Sequence, residues 1–150
     1  MIDGQLVTLS DGSRKNIQNL TKGDFVLTYN TLTKTQEVRK VINKNKSFRE
    51  RLIRVKLEDN TEILSTEEQL YYILDDGLQL ASTLPTVSSQ KVLDKNIKAL
   101  LLTHKLVDSD FNHRLIESIE TVFEPEMIEV FNLEIEETNN YYVNNILVYN

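Results

Sequence analysis

Turn-forming punctuation constrains this chain more than any other feature. "LSDGS" (9–13), "LEDNT" (57–61) and "LDDGL" (74–78) each set an acidic residue just ahead of Gly or Asn. Such pairs adopt the positive φ that tight hairpin turns require. Around them lie runs of β-formers: "QLVTL", "DFVLTY", "LIRVKL", "TEILS" and "QLYYIL", then "ESIETVF", "IEVFNLEIE" and "YYVNNILVY". Several alternate in character, as in Ile53, Val55 and Leu57, or Phe131, Leu133 and Ile135 against Val130, Asn132 and Glu134. That is the period of a strand with one buried face. "SRKNIQNLTKGDFVL" reads as a helical turn or extended lead-in that turns at "KGD" into a strand. The expected fold class is all-β, built of many short strands. In each of the pairs Tyr71-Tyr72 and Tyr141-Tyr142, one ring is expected in the core and one outside, because strand neighbours face opposite ways.

A chain of 150 residues has the length of one domain and can bury roughly two-thirds of its unfolded surface. Its 40% hydrophobic and 27% charged residues are those of a soluble globular protein. The absence of cysteine excludes disulfides, thiolate metal sites and a cysteine nucleophile in the chain as written. The two histidines, His104 and His113, sit in no ligand spacing, so neither a metal nor a cofactor is expected; both read as connector residues, with relocated catalysts as the alternative. No apolar run approaches the roughly 20 residues of a membrane span. The first residues lack the basic and apolar regions of a signal peptide. A cytoplasmic location is expected.

Charge is unevenly spread. Residues 107–150 hold one Arg against two Asp and eight Glu, while residues 1–106 carry +3 within a total of −6. The positive charge concentrates in "RKVINKNKSFRERLIRVK" (39–56). The negative total and the lack of interleaved aromatics for base stacking argue against nucleic acid. Attraction between the two halves fits better, since complementary charge speeds encounter. The "EIEE" run then reads as a solvated face or as a partner of the basic segment. Residues 88–114 have mixed periodicity and read as an exposed connector with one strand or short helix, where an insertion or chain break is best tolerated.

Three blocks in order carry a family resemblance: "MIDGQLVTLSDGSRKNIQNLTKGDFVLTYN", "VKLEDNTEILSTEEQLYYI" and "VFNLEIEETNNYYVNNILVYN". Together they resemble the HINT domain of inteins, the protein-splicing family, and especially small phage-type and split mini-inteins. The likeness spans residues 1–87 and 115–150. It implies one domain over 1–150 with a horseshoe-like fold, pseudo-twofold hairpins and adjacent termini. The 88–114 connector becomes a split or endonuclease-insertion point, too short to hold an endonuclease domain. The partners implied are flanking extein segments of a host protein and a complementary intein half, with the domain itself monomeric. The resemblance also accounts for "ILVY" running up to the last residue, since an end presented to chemistry cannot fray.

In such domains the first residue attacks the preceding carbonyl, the acyl group passes to a downstream nucleophile, and a terminal Asn cyclises. Here Met1 stands at the nucleophile position, and a thioether has no proton to lose, so the first step is closed to the chain as written. An initiating Met in place of Cys or Ser, an engineered substitution or a degenerate lineage would each give this pattern. Thr66 matches the Thr of the family's Thr-x-x-His motif, and Gln69 holds the His position. Glutamine donates hydrogen bonds but exchanges no proton near neutrality, and general acid–base help is typically about 10²–10⁴-fold. Asn132 stands where many relatives carry Asp or Cys, Asn139 where they carry His, and Tyr149 where they carry the His before the last residue. Asn150 matches fully. The implied function is autocatalytic splicing, single-turnover and atypical or inactivated; the alternative is a degenerate HINT-derived β domain that serves as a binding or structural module.

Overall fold

In the computed structural model, which describes residues 1–58, 60–73, 77–81, 99–102, 111–114 and 116–149, the strands gather in two antiparallel sheets. Strands β1 (Leu6–Thr8) and β2 (Arg14–Asn16) form the first hairpin, and a 3-10 turn, Ile17–Asn19, follows. Next come β3 (Phe25–Asn30), β4 (Thr35–Leu57), β5 (Glu62–Ser65), β6 (Leu70–Ile73) and β7 (Gly77–Leu80). The order continues with β8 (Ala99–Leu102), β9 (Phe111–Arg114), β10 (Ile116–Ile135), β11 (Asn140–Val143) and β12 (Ile146–Tyr149). One sheet runs β2-β1-β11-β12-β6-β8-β9 with β7 on β6; the other runs β10-β4-β3 with β5 on β4. The all-β expectation holds. No helix among the described residues is long and apolar enough to cross a membrane.

The turns form where the sequence marks them. Gly12 takes φ 86°, its N–H donating to Leu9 O, while Leu9 N–H donates to Ser13 O and closes β1 onto β2. Asn60 takes φ 69° between β4 and β5. In the third turn, Leu74, Asp75 and Asp76 lie outside the described residues, yet β6 and β7 pair on either side with Ile73 opposite Gly77. One turn interrupts a run that the sequence presents as continuous strand. "YYVNNILVY" splits at Asn144 and Asn145, whose φ values of 49° and 66° join β11 to β12 with Val143 opposite Ile146. Two successive positive φ values make a type I′ hairpin, and Asn tolerates that conformation better than most side chains.

Two strands are far longer than the rest. β4 has 23 residues and β10 has 20, whereas the other ten described strands have three to six. Residues 35–57 contain neither Gly nor Pro, so nothing in them ends a strand. β10 contains Pro125, and there the pairing slips: Phe123 faces Arg51, and the next pair is Ile128 with Arg49. Proline lacks the N–H a ladder needs, so it sits where the extra residues bulge out.

This ribbon joins the basic and acidic segments. Arg54 meets Glu120 at 3.0 Å, Lys56 meets Glu117 at 3.9 Å, and Arg39 meets Glu137 of the "EIEE" run at 3.1 Å. Arg49 and Arg51 pair with Glu68 and Glu67. All are partly exposed, so each is worth about 0–1 kcal/mol. They give five of the eight basic residues in 39–56 an internal acidic partner. The 88–114 segment contributes two strands, β8 and β9, which pair with each other and add to β6 and β12; its remaining residues, and with them His104, lie outside the described residues.

The core has two parts. The main cluster includes Val7, Val55, Leu133, Tyr141 and Val148; the second holds Leu27, Tyr29, Tyr142 and Leu147, with Tyr72 and Tyr149 packed against it. β11 and β12 lie between them and are covered on both faces. Tyr141 and Tyr142 do point opposite ways, but neither is exposed (0% each), because the sheet has a cluster on either side. Tyr71 is likewise buried, and Tyr72 is half-buried with its ring edge-on to Tyr29.

Asn140 ties β11 to β3. Its Oδ1 accepts from Tyr29 N–H at 2.9 Å and its Nδ2 donates to Tyr29 O at 2.7 Å. Removing the amide leaves a buried donor and a buried acceptor unmet, at about 1–3 kcal/mol each. Asn140→Ala is therefore expected to lower unfolding free energy by about 2–4 kcal/mol in urea titrations; a loss below about 1 kcal/mol would refute this clamp.

Candidate active site

The first residue and Tyr149, the last described one, reach the same site. Met1 N donates to Phe131 O at 3.0 Å, and Phe131 N donates back to Met1 O at 2.7 Å. This reciprocal pair is one rung of an antiparallel ladder, and it lays the first residue against β10. At the other end, β12 pairs with β6 through Val148 opposite Tyr71 and Tyr149 opposite Leu70. Met1 and Tyr149 line one cavity of about 230 Å³ together with Thr66, Gln69, Asn132, Phe131 and the Arg49–Glu68 pair.

Side-chain amides hold the approach to this cavity. Gln5 is buried between the N-terminal segment and β5: its Nε2 donates to Leu64 O and its Oε1 accepts from Leu64 N–H, both at 2.8 Å. That places β5 so that Thr66 follows directly at the cavity wall. Asn144 does the same work nearby, accepting from Leu6 N–H and donating to Glu62 O. Between Thr66 and Gln69 the chain turns back, with Gln69 N–H donating to Thr66 O at 3.3 Å. Gln69 is buried, and its Nε2 donates to Tyr149 O at 2.6 Å and to Leu70 O at 3.2 Å.

Five of the seven residues singled out from the sequence come together here: Met1, Thr66, Gln69, Asn132 and Tyr149. Asn132 is half-buried and accepts from Tyr141 Oη at 3.4 Å. The Tyr149 ring turns toward the second cluster and stacks on Tyr72, centroids 6.3 Å apart. Asn139 lies outside the cavity wall, exposed in a turn with φ 56°. One position on, Asn140 faces inward, since neighbouring side chains alternate. Asn150 lies outside the described residues. Gln5, Asn140 and Phe131 were not singled out from the sequence; buried amides among strand residues leave no spacing signal, and Phe131 acts through its backbone.

Thr66, Gln69 and Asn132 bring hydrogen-bonding groups to the cavity, beside the charged Lys46, Arg49 and Glu68. Burial raises the Tyr71, Tyr141 and Tyr142 hydroxyls well above the usual tyrosine range, so none ionises near neutrality. Among the described residues no group of three or more His, Cys, Asp or Glu is arranged to hold a metal ion. The Met1 amine shifts downward. Burial lowers it from 8.0 to about 5, with Glu68 opposing and Arg49 adding to the shift.

No family model matches the sequence, and no curated protein matches it. Solved structures do match. A bacterial intein-like domain from Clostridium thermocellum superposes with a TM-score of 0.82 at 21% identity, over 99% of this chain and 96% of that one. A DnaB intein from Synechocystis sp. PCC 6803 gives 0.80 at 22% identity, over 99% and 96%. The chain has the intein fold. The gp41-1 intein matches as well, with a TM-score of 0.68 at 24% identity over 97% of this chain and 94% of that one.

The buried amine fixes a pH dependence. Between about pH 5 and pH 8 the unfolded chain holds a proton on Met1 that the folded chain does not. Stability therefore rises across that window, is complete above pH 8, and is lost as pH falls toward 5, by up to about 4 kcal/mol. Urea unfolding at pH 5, 6, 7 and 8 is expected to show this rise for the free amine and to lose that component when Met1 is acetylated. Equal pH slopes for both forms would overturn it.

Proposed function

We propose that this domain is a self-processing module of the protein-splicing type, whose substrates are polypeptide segments joined to its own two ends. The observation that carries the reading is the single cavity lined by Met1, Thr66, Gln69, Asn132 and Tyr149. Bringing both junctions to one site converts successive acyl transfers into intramolecular steps, which is where most of the rate gain of such chemistry originates. It turns over once and needs no cofactor.

The two junctions are unequally equipped. At the first, a side-chain oxygen or sulfur must add to the preceding carbonyl while the amide nitrogen takes up a proton. Met1 supplies no such nucleophile, so this step stays closed until position one is Cys or Ser. At the second, Asn150 Nδ2 adds to the carbonyl carbon of Asn150, the bond to the following nitrogen breaks, and that nitrogen leaves with the proton. The product is a C-terminal succinimide and a free amine downstream. This step asks no acid or base of the missing histidines if the backbone is held in a reactive geometry. The chain as written is therefore proposed to cleave at its C-terminal junction and not to splice.

A specific observation favours the alternative of a degenerate binding or structural domain: Met1 is packed in the main core at 1% exposure with Gln5 Nε2 3.5 Å from its Sδ, as an ordinary hydrophobe would be. A precursor with proteins fused at both ends separates the two readings. We expect slow release of the downstream protein, a succinimide mass on the released domain, abolition of both by Asn150→Ala, and additional upstream cleavage after Met1→Cys. A folded precursor that releases nothing in any of these forms would support the degenerate domain instead.

The charge division supports a further element of the proposal, that the domain can assemble from two pieces broken within residues 88–114. β4 from the first piece and β10 from the second are paired along most of their length and carry opposite charge. Pieces 1–106 and 107–150 are expected to associate about 10-fold more slowly at 500 mM than at 50 mM salt. A salt-independent rate in stopped-flow mixing would remove the electrostatic role.

A further inference from the structure

Gln69 stands where the family pattern has a residue acting at the first junction, but its bonds point elsewhere. A primary amide carries two N–H donors. Here one meets Tyr149 O at 2.6 Å and the other Leu70 O at 3.2 Å. With both directed at carbonyls of β12 and β6, no N–H remains for the carbonyl that would precede Met1. The assignment of nitrogen rather than oxygen to this atom follows from chemistry, because the flipped amide would set an oxygen against two carbonyl oxygens. Gln69 is also buried, at 7% exposure, so water does not readily replace either bond.

The bond to Tyr149 O has a geometric consequence. The β12–β6 ladder ends with Tyr149 opposite Leu70, and Gln69 adds a side-chain rung beyond it. Tyr149 O belongs to the planar unit that links Tyr149 to Asn150. Fixing that oxygen restrains the rotation of the unit by which Asn150 is attached. On the reading of the domain as self-processing, we propose that Gln69 is a positioning residue for cleavage at the C-terminal junction, holding the backbone ahead of Asn150, and takes no part at the first junction. The Thr66–Gln69 turn then serves the second junction rather than the first: an amide at position 69 carries no exchangeable proton to the first and clamps the backbone of the second.

The test uses the full chain with a downstream protein after Asn150, and a second precursor with an upstream protein and Met1→Cys, whose first junction is read by thiol-induced cleavage. Gln69→Leu keeps the bulk and removes both donors; it is expected to slow downstream release at least 10-fold while upstream thiol cleavage changes less than 3-fold. Gln69→Glu supplies a readout that packing alone would not move. A protonated carboxyl can donate to Tyr149 O and a carboxylate cannot, so release from this variant is expected to fall at least 10-fold from pH 5 to pH 8, beyond any change in the parent. Unfolding midpoints confirm that both variants are folded; if Gln69→Leu is not, the Gln69→Glu pH profile decides. Downstream release from Gln69→Leu within 3-fold of the parent, an equal loss at both junctions, or a Gln69→Glu profile parallel to the parent would each overturn the assignment. A folded parent that releases nothing while Asn150 is intact would overturn the self-processing reading itself, and the assignment with it.

Discussion

The N-terminal wall of the site depends on one pair of backbone hydrogen bonds, Met1 N to Phe131 O and Phe131 N to Met1 O. They bind the first residue into a rung beside the long β4–β10 ribbon. Without them the N-terminal segment would be a frayed end, as most chain starts are. With them the α-amine is buried deeply enough to lose its charge near neutrality, and the cavity gains a wall. The Gln5–Leu64 and Asn144–Glu62 bonds belong to the same arrangement, tying the N-terminal segment and the β11–β12 turn to β5 and so to Thr66.

The opposite end is held by a different device. β12 is short, yet it is covered on both faces and bordered by β11, β6 and β8. A strand buried on both faces loses the alternation that marks a half-exposed one, which is why "ILVY" is uniformly apolar. Burial fixes where the strand lies, and the Gln69 amide fixes the carbonyl with which it ends. Packing and hydrogen bonding thus divide the task between position and orientation.

Much of this was legible in the sequence, and the gaps have physical causes. Acidic-Gly and acidic-Asn pairs announced turns because few residues accept positive φ, and the charge imbalance pointed to attraction between the halves, which the β4–β10 ribbon realises across facing opposite charges. The Asn144-Asn145 turn went unseen since Asn is permissive rather than diagnostic. Ribbon length was hidden because a strand's end is signalled by breakers, and residues 35–57 have none. Within the site, the resemblance to the Thr-x-x-His motif marks Thr66 and Gln69, and it marks Asn139 where the structure turns the neighbouring Asn140 inward: a one-residue difference in a polar pair carries no hydrophobic mark. Gln5 is similarly silent, as its role depends on a strand that is distant in sequence.

The rung between Met1 and Phe131 spans a separation of 130 residues, and the ribbon likewise joins distant parts of the chain. Closing such loops costs entropy before any contact repays it, so folds dominated by remote pairings are slow to reach their final state. For a chain emerging from a ribosome this imposes a timetable. The C-terminal strands are synthesised last, and the N-terminal residue waits unpaired until they arrive. Cavity walls drawn from both ends of the domain come together only after β12 has been made.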